Sequence, residues 1–352
     1  MTTTQAITPK RDAELDALRG LAALAVALGH CVTRTAPRPL YDKSFGEIDY
    51  GNVTEVAMRL LHLVFNADAA VILFFVLSGH VLITSLAKTG PGYLTALPAY
   101  AVRRVLRIYP VLIFSFVPFA LIVQPGMEQL VANALLWRTD LNGVTWSLQI
   151  ELIGSLIVFA VWCLPARLAW LLPVAIVASA LWVAGSVNIH TYLPLFLMGC
   201  FAGSVRAVLR PRRAWLLLST VAFLGADFAF GPGARTILFQ GAMATLMVAN
   251  AAPGIAAWLA SRPVQFLGKV SYPFYLLHPS ALRLLLTPAV AAYLPFKSWP
   301  PLIGFATLAL ATCAIALPAA WYTHRLIELR GIALGSEWAK RLRPKRGAMA
   351  AT

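Results

Sequence analysis

Charged residues are scarce in this sequence. Asp, Glu, Lys and Arg make up 12% of the 352 residues, whereas apolar residues make up 59%. Soluble globular domains carry about 25% charged residues, and a soluble protein of this size could not cover its surface with half that share. A disordered chain, in turn, could not be this apolar. The composition excludes both classes and predicts an all-α, polytopic membrane protein.

Cysteine is also rare, and the four cysteines are isolated from one another. Cys31, Cys163, Cys200 and Cys313 each lie in an apolar stretch without the short spacing of a ligand pair. Structural zinc sites and disulfide frameworks need clustered or paired cysteines. We therefore expect small hydrophobic side chains at these positions and no metal site.

Long apolar runs dominate the chain instead. A run of about 20 residues can cross a bilayer as a helix, because a helix satisfies its own backbone polar groups. Candidate spans are 16–34, 63–87, 108–124, 146–165, 168–184, 191–208, 214–230, 235–250, 271–292 and 301–325. The sequence thus predicts about ten transmembrane helices in a single domain (1–340), followed by a basic cytoplasmic tail (341–352).

Acidic residues are outnumbered, with 14 Asp and Glu against 29 Lys and Arg, and the formal net charge is +15. With both termini cytoplasmic, most basic residues fall on inner segments, as the positive-inside rule requires. The outer segments hold only Arg34, Arg38, Lys43, Arg59, Arg138, Arg235 and Lys297. The charge therefore predicts orientation in the inner (plasma) membrane, with the lipid bilayer as partner and no nucleic acid.

The first span carries two ionisable residues, Arg19 and His30. They are eleven residues apart, so the helix turns about 1100° between them and both lie on one face, about 16 Å apart along the axis. Ionisable groups inside membrane helices are costly and usually functional. We expect Arg19 near the cytoplasmic entrance and His30 nearer the outer end. The alternative is a snorkelling arginine and an interfacial histidine.

The fourth span begins with Trp146 and carries Ser147 and Glu151 on one helical face. Because this helix starts outside, Glu151 is expected at a depth similar to that of His30. A carboxylate there needs a partner, and we expect that partner to be His30. The alternative is a carboxylate bonded to Ser147 or to water.

Three arginines, Arg103, Arg104 and Arg107, precede the third span. Arg104 and Arg107 are neighbours on one helical face, and their planar guanidinium groups suit phosphate. The alternative is that these arginines only set the orientation of the protein in the membrane, as the positive-inside rule requires. Two further histidines are candidates: His80, for which helix packing is the alternative, and His278, beside a proline that could kink its helix.

Five short segments occur in a fixed order along the chain. They are Arg19 to His30, Phe74 to Gly79, Arg104 to Pro110, Trp146 to Glu151 and Tyr275 to Pro279. In these segments, which lie between Leu15 and Glu328, the sequence resembles the acyltransferase-3 family of integral membrane acyltransferases. Two positions depart from the family pattern: His80 stands where phenylalanine is usual, and Arg330 stands where a proline is expected.

The resemblance implies transfer of an acyl group, commonly acetyl from acetyl-CoA, to a hydroxyl group of a cell-surface or exported carbohydrate. It also implies that His30 and Arg19 are functional. We expect His30 to be the general base and Glu151 to orient it, with Arg19, Arg104 and Arg107 holding the phosphates of CoA. The expected pocket residues are Trp146, Ser147, Ser78, His80 and His278.

Three alternatives stay open at the level of sequence. A glycolipid or solute transporter could use the intramembrane charges as a relay, although no repeat relates the two halves of the chain. An enzyme of the same fold could use succinyl or a longer acyl donor. His30 could also carry the acyl group covalently rather than act as a base.

Overall fold

Helices joined by loops form the part of the chain that the computed structural model describes, residues 13–89, 93–168, 170–183, 189–251 and 257–342. The helices are α1 (Ala13–Thr35), α2 (Arg38–Tyr41), α3 (Val53–Val64), α4 (Ala67–Ala87), α5 (Leu97–Val123), α6 (Met127–Ala134), α7 (Trp146–Cys163), α8 (Leu171–Val183), α9 (Leu193–Leu209), α10 (Arg213–Phe230), α11 (Ala234–Asn250), α12 (Arg262–Leu285), α13 (Pro288–Ala291), α14 (Pro301–Thr323) and α15 (Leu329–Arg341). These residues contain no strand, which confirms the all-α fold class. The predicted basic tail lies outside the described residues from position 343 onwards.

Seven helical segments of the described chain are long and apolar enough to cross a membrane, and the predicted count of ten is not confirmed. The three predicted spans that fall short correspond to α8, α11 and α12. The described part of α8 has 13 residues and α11 has 17, at or below the lower limit of about 17 residues for a transmembrane helix. Helix α12 has 24 residues but is less apolar, and more than half of them are buried within the protein.

The boundaries of α5 and α12 differ from the predicted ones. Helix α5 begins at Leu97 rather than at residue 108, and α12 spans Arg262–Leu285 rather than 271–292. Both helices carry arginine or lysine within their first three turns, and hydropathy alone assigns such charged residues to a loop. The arginines before the predicted third span therefore lie within a helix, inside the bundle.

Glycine contacts set the register of α1 against α12. A Cβ atom on Gly20 would lie 2.4 Å from the backbone nitrogen of Gly268, so the two backbones approach as closely as only small residues allow. Ten residues further along each helix, His30 meets His278. The two helices therefore run parallel and in contact over about 15 Å.

A second pair of glycines joins α4 to α9. A Cβ atom on Gly79 would lie 2.2 Å from the carbonyl oxygen of Phe196, and one on Gly199 would lie 2.1 Å from that of Val76. This close packing fixes one side of α4 against α9. The opposite side of α4 is left to face the interior of the bundle.

Candidate active site

A cavity of about 310 Å³ lies between α4, α5, α7 and α12, with Arg19 of α1 in its wall. On α4 the wall includes Val71, Ser78 and Ser85, which recur at the spacing of one helical face, and Thr89 follows in the turn after the helix. The fourteen residue steps from Val71 to Ser85 extend about 21 Å along the helix. The cavity therefore follows α4 for most of the thickness of a bilayer core.

One end of the cavity is cationic. Arg19, Arg103, Arg104 and Arg107 line it together with one carboxylate, that of Glu151. Arg104 Nη2 donates to Glu151 Oε1 over 2.5 Å, and the two side chains are 11% and 16% exposed. The excess of positive charge in an enclosed site favours an anionic ligand.

Arg104 has further hydrogen-bonding capacity. Its Nε atom is buried and has no hydrogen-bond partner in the described part of the chain. A buried N–H group without a partner is costly. This donor, on a residue of the cationic wall, is free to bond an oxygen atom of an anionic ligand.

The predicted pairing of Glu151 with His30 is wrong. The carboxylate binds Arg104 instead, at the cationic end of the cavity. The prediction failed because α5 begins eleven residues earlier than expected, which places Arg104 inside the bundle at the level of Glu151. Glu151 thus belongs to the arginine cluster and has no contact with the imidazole.

The hydrogen-bond partner of His30 is a second histidine, His278. Nδ1 of His30 lies 3.0 Å from Nε2 of His278, and the two rings stack with centroids 5.2 Å apart. His278 is fully buried, whereas His30 is partly exposed. The parallel register of α1 and α12 brings the two rings together.

The surroundings of this pair select a tautomer. His278 Nδ1 lies 3.3 Å from the backbone carbonyl oxygen of Phe274, which can only accept. If Nδ1 of His278 carries the proton, its Nε2 must accept the hydrogen bond from Nδ1–H of His30. The remaining nitrogen, Nε2 of His30, then has a free lone pair and can act as a base.

Two hydroxyl groups line the cavity near the histidines. Ser147 Oγ and Tyr275 OH lie 2.9 Å apart. The ring of Tyr275 lies beside that of His278, with centroids 6.1 Å apart, one helical turn along α12. The hydroxyl groups, one helical turn along α7 from Glu151 of the arginine cluster, therefore adjoin the histidine pair.

Six predicted site residues share the cavity wall: Arg19, Ser78, Arg104, Arg107, Ser147 and Glu151. His30 and His278 lie just beyond the wall. His80 and Trp146, which the sequence also assigned to the pocket, do not line this cavity. The backbone of His80 lies beside Gly199 in the contact between α4 and α9, and Trp146 packs against Phe75 and Tyr192.

Tyr275, which lies in one of the five segments, and Tyr272 were assigned no role from the sequence. Both line the cavity, as does Ser271. Their spacing was a usable signal: polar side chains at 271, 272 and 275 lie on one face of a largely apolar helix. That face predicts an interior polar cavity.

The apolar bundle, the intramembrane arginines and the buried histidine pair define a multi-pass membrane protein with an enclosed polar site. The family model described as an acyltransferase domain, that of the acyltransferase-3 family, matches residues 12–321. The chain belongs to this family and is a membrane acyltransferase. No curated protein and no solved structure matches it.

Proposed function

We propose that this acyltransferase moves an acyl group, in the first instance acetyl, from cytoplasmic acyl-CoA to a hydroxyl group of a cell-surface or exported carbohydrate at the plasma membrane. The observation that supports the proposal is the polarity of the cavity. Guanidinium groups line one part of it, and hydroxyl groups next to a histidine pair line another. A donor with anionic phosphates at one end and a thioester at the other matches this arrangement.

In this proposal the arginines hold the phosphates. Arg19, Arg104 and Arg107 offer planar donors in an enclosed site, where charge-assisted hydrogen bonds are strong. The separation of about 16 Å between Arg19 and His30 along α1 suits the extended pantetheine arm of CoA. The cavity volume of about 310 Å³ suits the arm and its acyl group, with the nucleotide at the cavity mouth.

His30 is the general base. Bound acyl-CoA supplies an activated carbonyl carbon and a thiolate leaving group. Nε2 of His30 removes the proton from the acceptor hydroxyl group, which then attacks the carbonyl carbon, and can pass the proton to the departing sulfur. His278 holds the tautomer of His30 and so takes the orienting role that the sequence had assigned to Glu151.

Surface glycans from a deletion strain test this function. Mass analysis is expected to show acyl substituents in the wild-type strain and in the complemented strain, and none in the deletion strain or in one complemented with His30→Ala. The mass of the missing group identifies the donor as acetyl, succinyl or longer. Identical glycan masses in all four strains, with the protein present in the membrane, would contradict the proposal.

Glu151→Gln is expected to leave kcat within about tenfold of the wild-type value at saturating acyl-CoA. The amide oxygen can still accept a hydrogen bond from Arg104, so the substitution affects the binding of acyl-CoA rather than the chemical step. A residue that oriented the catalytic imidazole would instead cost about 10⁴-fold in kcat on neutralisation. Steady-state kinetics of the purified protein distinguish the two outcomes.

Glu151→Ala is the companion variant. It leaves the guanidinium of Arg104 without its partner in an enclosed site, and loss of one member of a buried pair costs up to about 3–5 kcal/mol. We expect a lower melting temperature in detergent for the alanine variant than for the glutamine variant. Equal melting temperatures would show that the ion pair contributes no stability.

A further inference from the structure

Ser147 and Tyr275 place two hydroxyl groups side by side where the cavity adjoins the histidine pair. They come from different helices, α7 and α12, and each side chain is 6% exposed. Two convergent O–H donors in an enclosed site are the groups that stabilise negative charge on a carbonyl oxygen. The arginine cluster begins one helical turn further along α7, at Glu151.

Both hydroxyl groups are bonded to the same carbonyl oxygen, that of Val144. Ser147 Oγ lies 2.9 Å from it and Tyr275 OH lies 3.1 Å from it. The backbone N–H of Trp146 also donates to this oxygen. A carbonyl oxygen has two lone pairs, so three donors exceed its capacity for separate hydrogen bonds. Both hydroxyl protons can therefore turn to a ligand, because the N–H of Trp146 still satisfies the carbonyl oxygen.

We propose that Tyr275 and Ser147 donate hydrogen bonds to the thioester carbonyl oxygen and stabilise the oxyanion that forms during transfer. This inference rests on the proposed acyl-CoA donor. It assigns the two residues a catalytic role because their hydroxyl groups touch a reacting atom. The histidine pair supplies the base, and the hydroxyl pair supplies the electrophilic site.

The step balances as an acyl transfer. The acceptor oxygen bonds to the carbonyl carbon while its proton passes to Nε2 of His30, and the π electrons of the carbonyl move onto oxygen between the two hydroxyl groups. These electrons then reform the double bond, the C–S bond breaks, and its electron pair leaves with sulfur. The proton held by His30 completes the thiol.

Tyr275→Phe and Ser147→Ala test this role. Loss of one oxyanion donor typically lowers kcat by about 10²–10³-fold, and we expect that loss with KM for acetyl-CoA nearly unchanged. Hydrolysis of acetyl-CoA in the absence of acceptor should fall in parallel, because water attacks the same carbonyl. Ser155→Ala is the matched control: Ser155 lies two turns further along α7, and its hydroxyl group bonds the Leu152 carbonyl oxygen away from the cavity wall.

Binding measurements provide a readout that needs no turnover. The probes are a ketone analogue of acetyl-CoA, with a methylene group in place of sulfur, and S-ethyl-CoA, which lacks the carbonyl. Tyr275→Phe should weaken binding of the ketone by about 3–10-fold, the effect of one hydrogen bond, and leave binding of S-ethyl-CoA unchanged. Equal weakening of both probes would indicate a distorted cavity and overturn the role.

The outcomes separate this inference from the function on which it rests. Wild-type kcat in Tyr275→Phe and in Ser147→Ala would overturn the inference and leave the acyl-CoA donor intact. A raised KM with unchanged kcat would also overturn it, because the hydroxyl groups would then stabilise bound substrate and transition state equally. Failure of the wild-type protein to bind or consume any acyl-CoA would overturn the proposed function itself.

Discussion

His30→Ala is expected to lower the rate of acyl transfer by about 10²–10⁴-fold, the contribution of a positioned general base. An alcohol attacks a thioester slowly while it keeps its proton, and Nε2 of His30 is the nitrogen that the hydrogen-bond chain leaves free. The variant should still insert and assemble, because His30 is partly exposed and the tight α1–α12 contact lies at Gly20 and Gly268. Initial rates with purified protein at equal concentration measure the effect.

His62→Gln is the control for a general effect of replacing a histidine. His62 lies on α3 beside Arg59, away from the cavity, and its replacement should leave the rate near that of the wild type. Transfer by His30→Ala at the wild-type rate would show that another group removes the proton. Acyl label retained on wild-type protein without acceptor, and lost in His30→Ala, would indicate a covalent acyl-histidine instead of a base.

Two substitutions of His278 are expected to differ in activity. The side-chain oxygen of glutamine can accept the hydrogen bond from Nδ1–H of His30, as His278 Nε2 does. Leucine cannot. His278→Gln should therefore retain more activity than His278→Leu, and equal activities would show that the tautomer of His30 does not depend on His278.

The composition of the cavity could largely be predicted from the sequence, because it depends on faces of single helices. Ser147 and Glu151 share a face through their spacing of four, as Arg104 and Arg107 do through their spacing of three. Each of these residues lines the cavity. Costly polar groups in an apolar chain point inwards, and periodicity alone identifies such groups.

The pairing of side chains could not be predicted in this way, because it depends on which helices are neighbours and at what depth. Hydropathy placed the start of α5 too late and so left Arg104 in a loop, out of reach of Glu151. The meeting of His30 with His278 depends on the contact between Gly20 and Gly268. No periodicity within α1 or α12 specifies that contact.

Arg107→Gln is expected to raise KM for acetyl-CoA by about 10–150-fold with kcat nearly unchanged. Arg107 lines the cationic end of the cavity and forms no ion pair in the described part of the chain, so its removal leaves no carboxylate unpaired. A hydrogen bond to a charged group contributes about 1.5–3 kcal/mol, and each 1.4 kcal/mol is tenfold in affinity. The substitution changes KM rather than kcat because the phosphates are remote from the reacting carbonyl.

A truncated donor shows whether Arg107 acts through phosphate. Acetyl-pantetheine keeps the thioester and the arm but lacks the nucleotide and its phosphates, so Arg107→Gln and wild-type protein should use it with equal efficiency. Arg206→Gln, a change on α9 outside the cavity wall, controls for loss of one positive charge. If Arg107→Gln lowers the rate with acetyl-pantetheine as much as the rate with acetyl-CoA, the arginine shapes the cavity rather than binding phosphate. The orientation of the bound acyl donor would then depend on other residues.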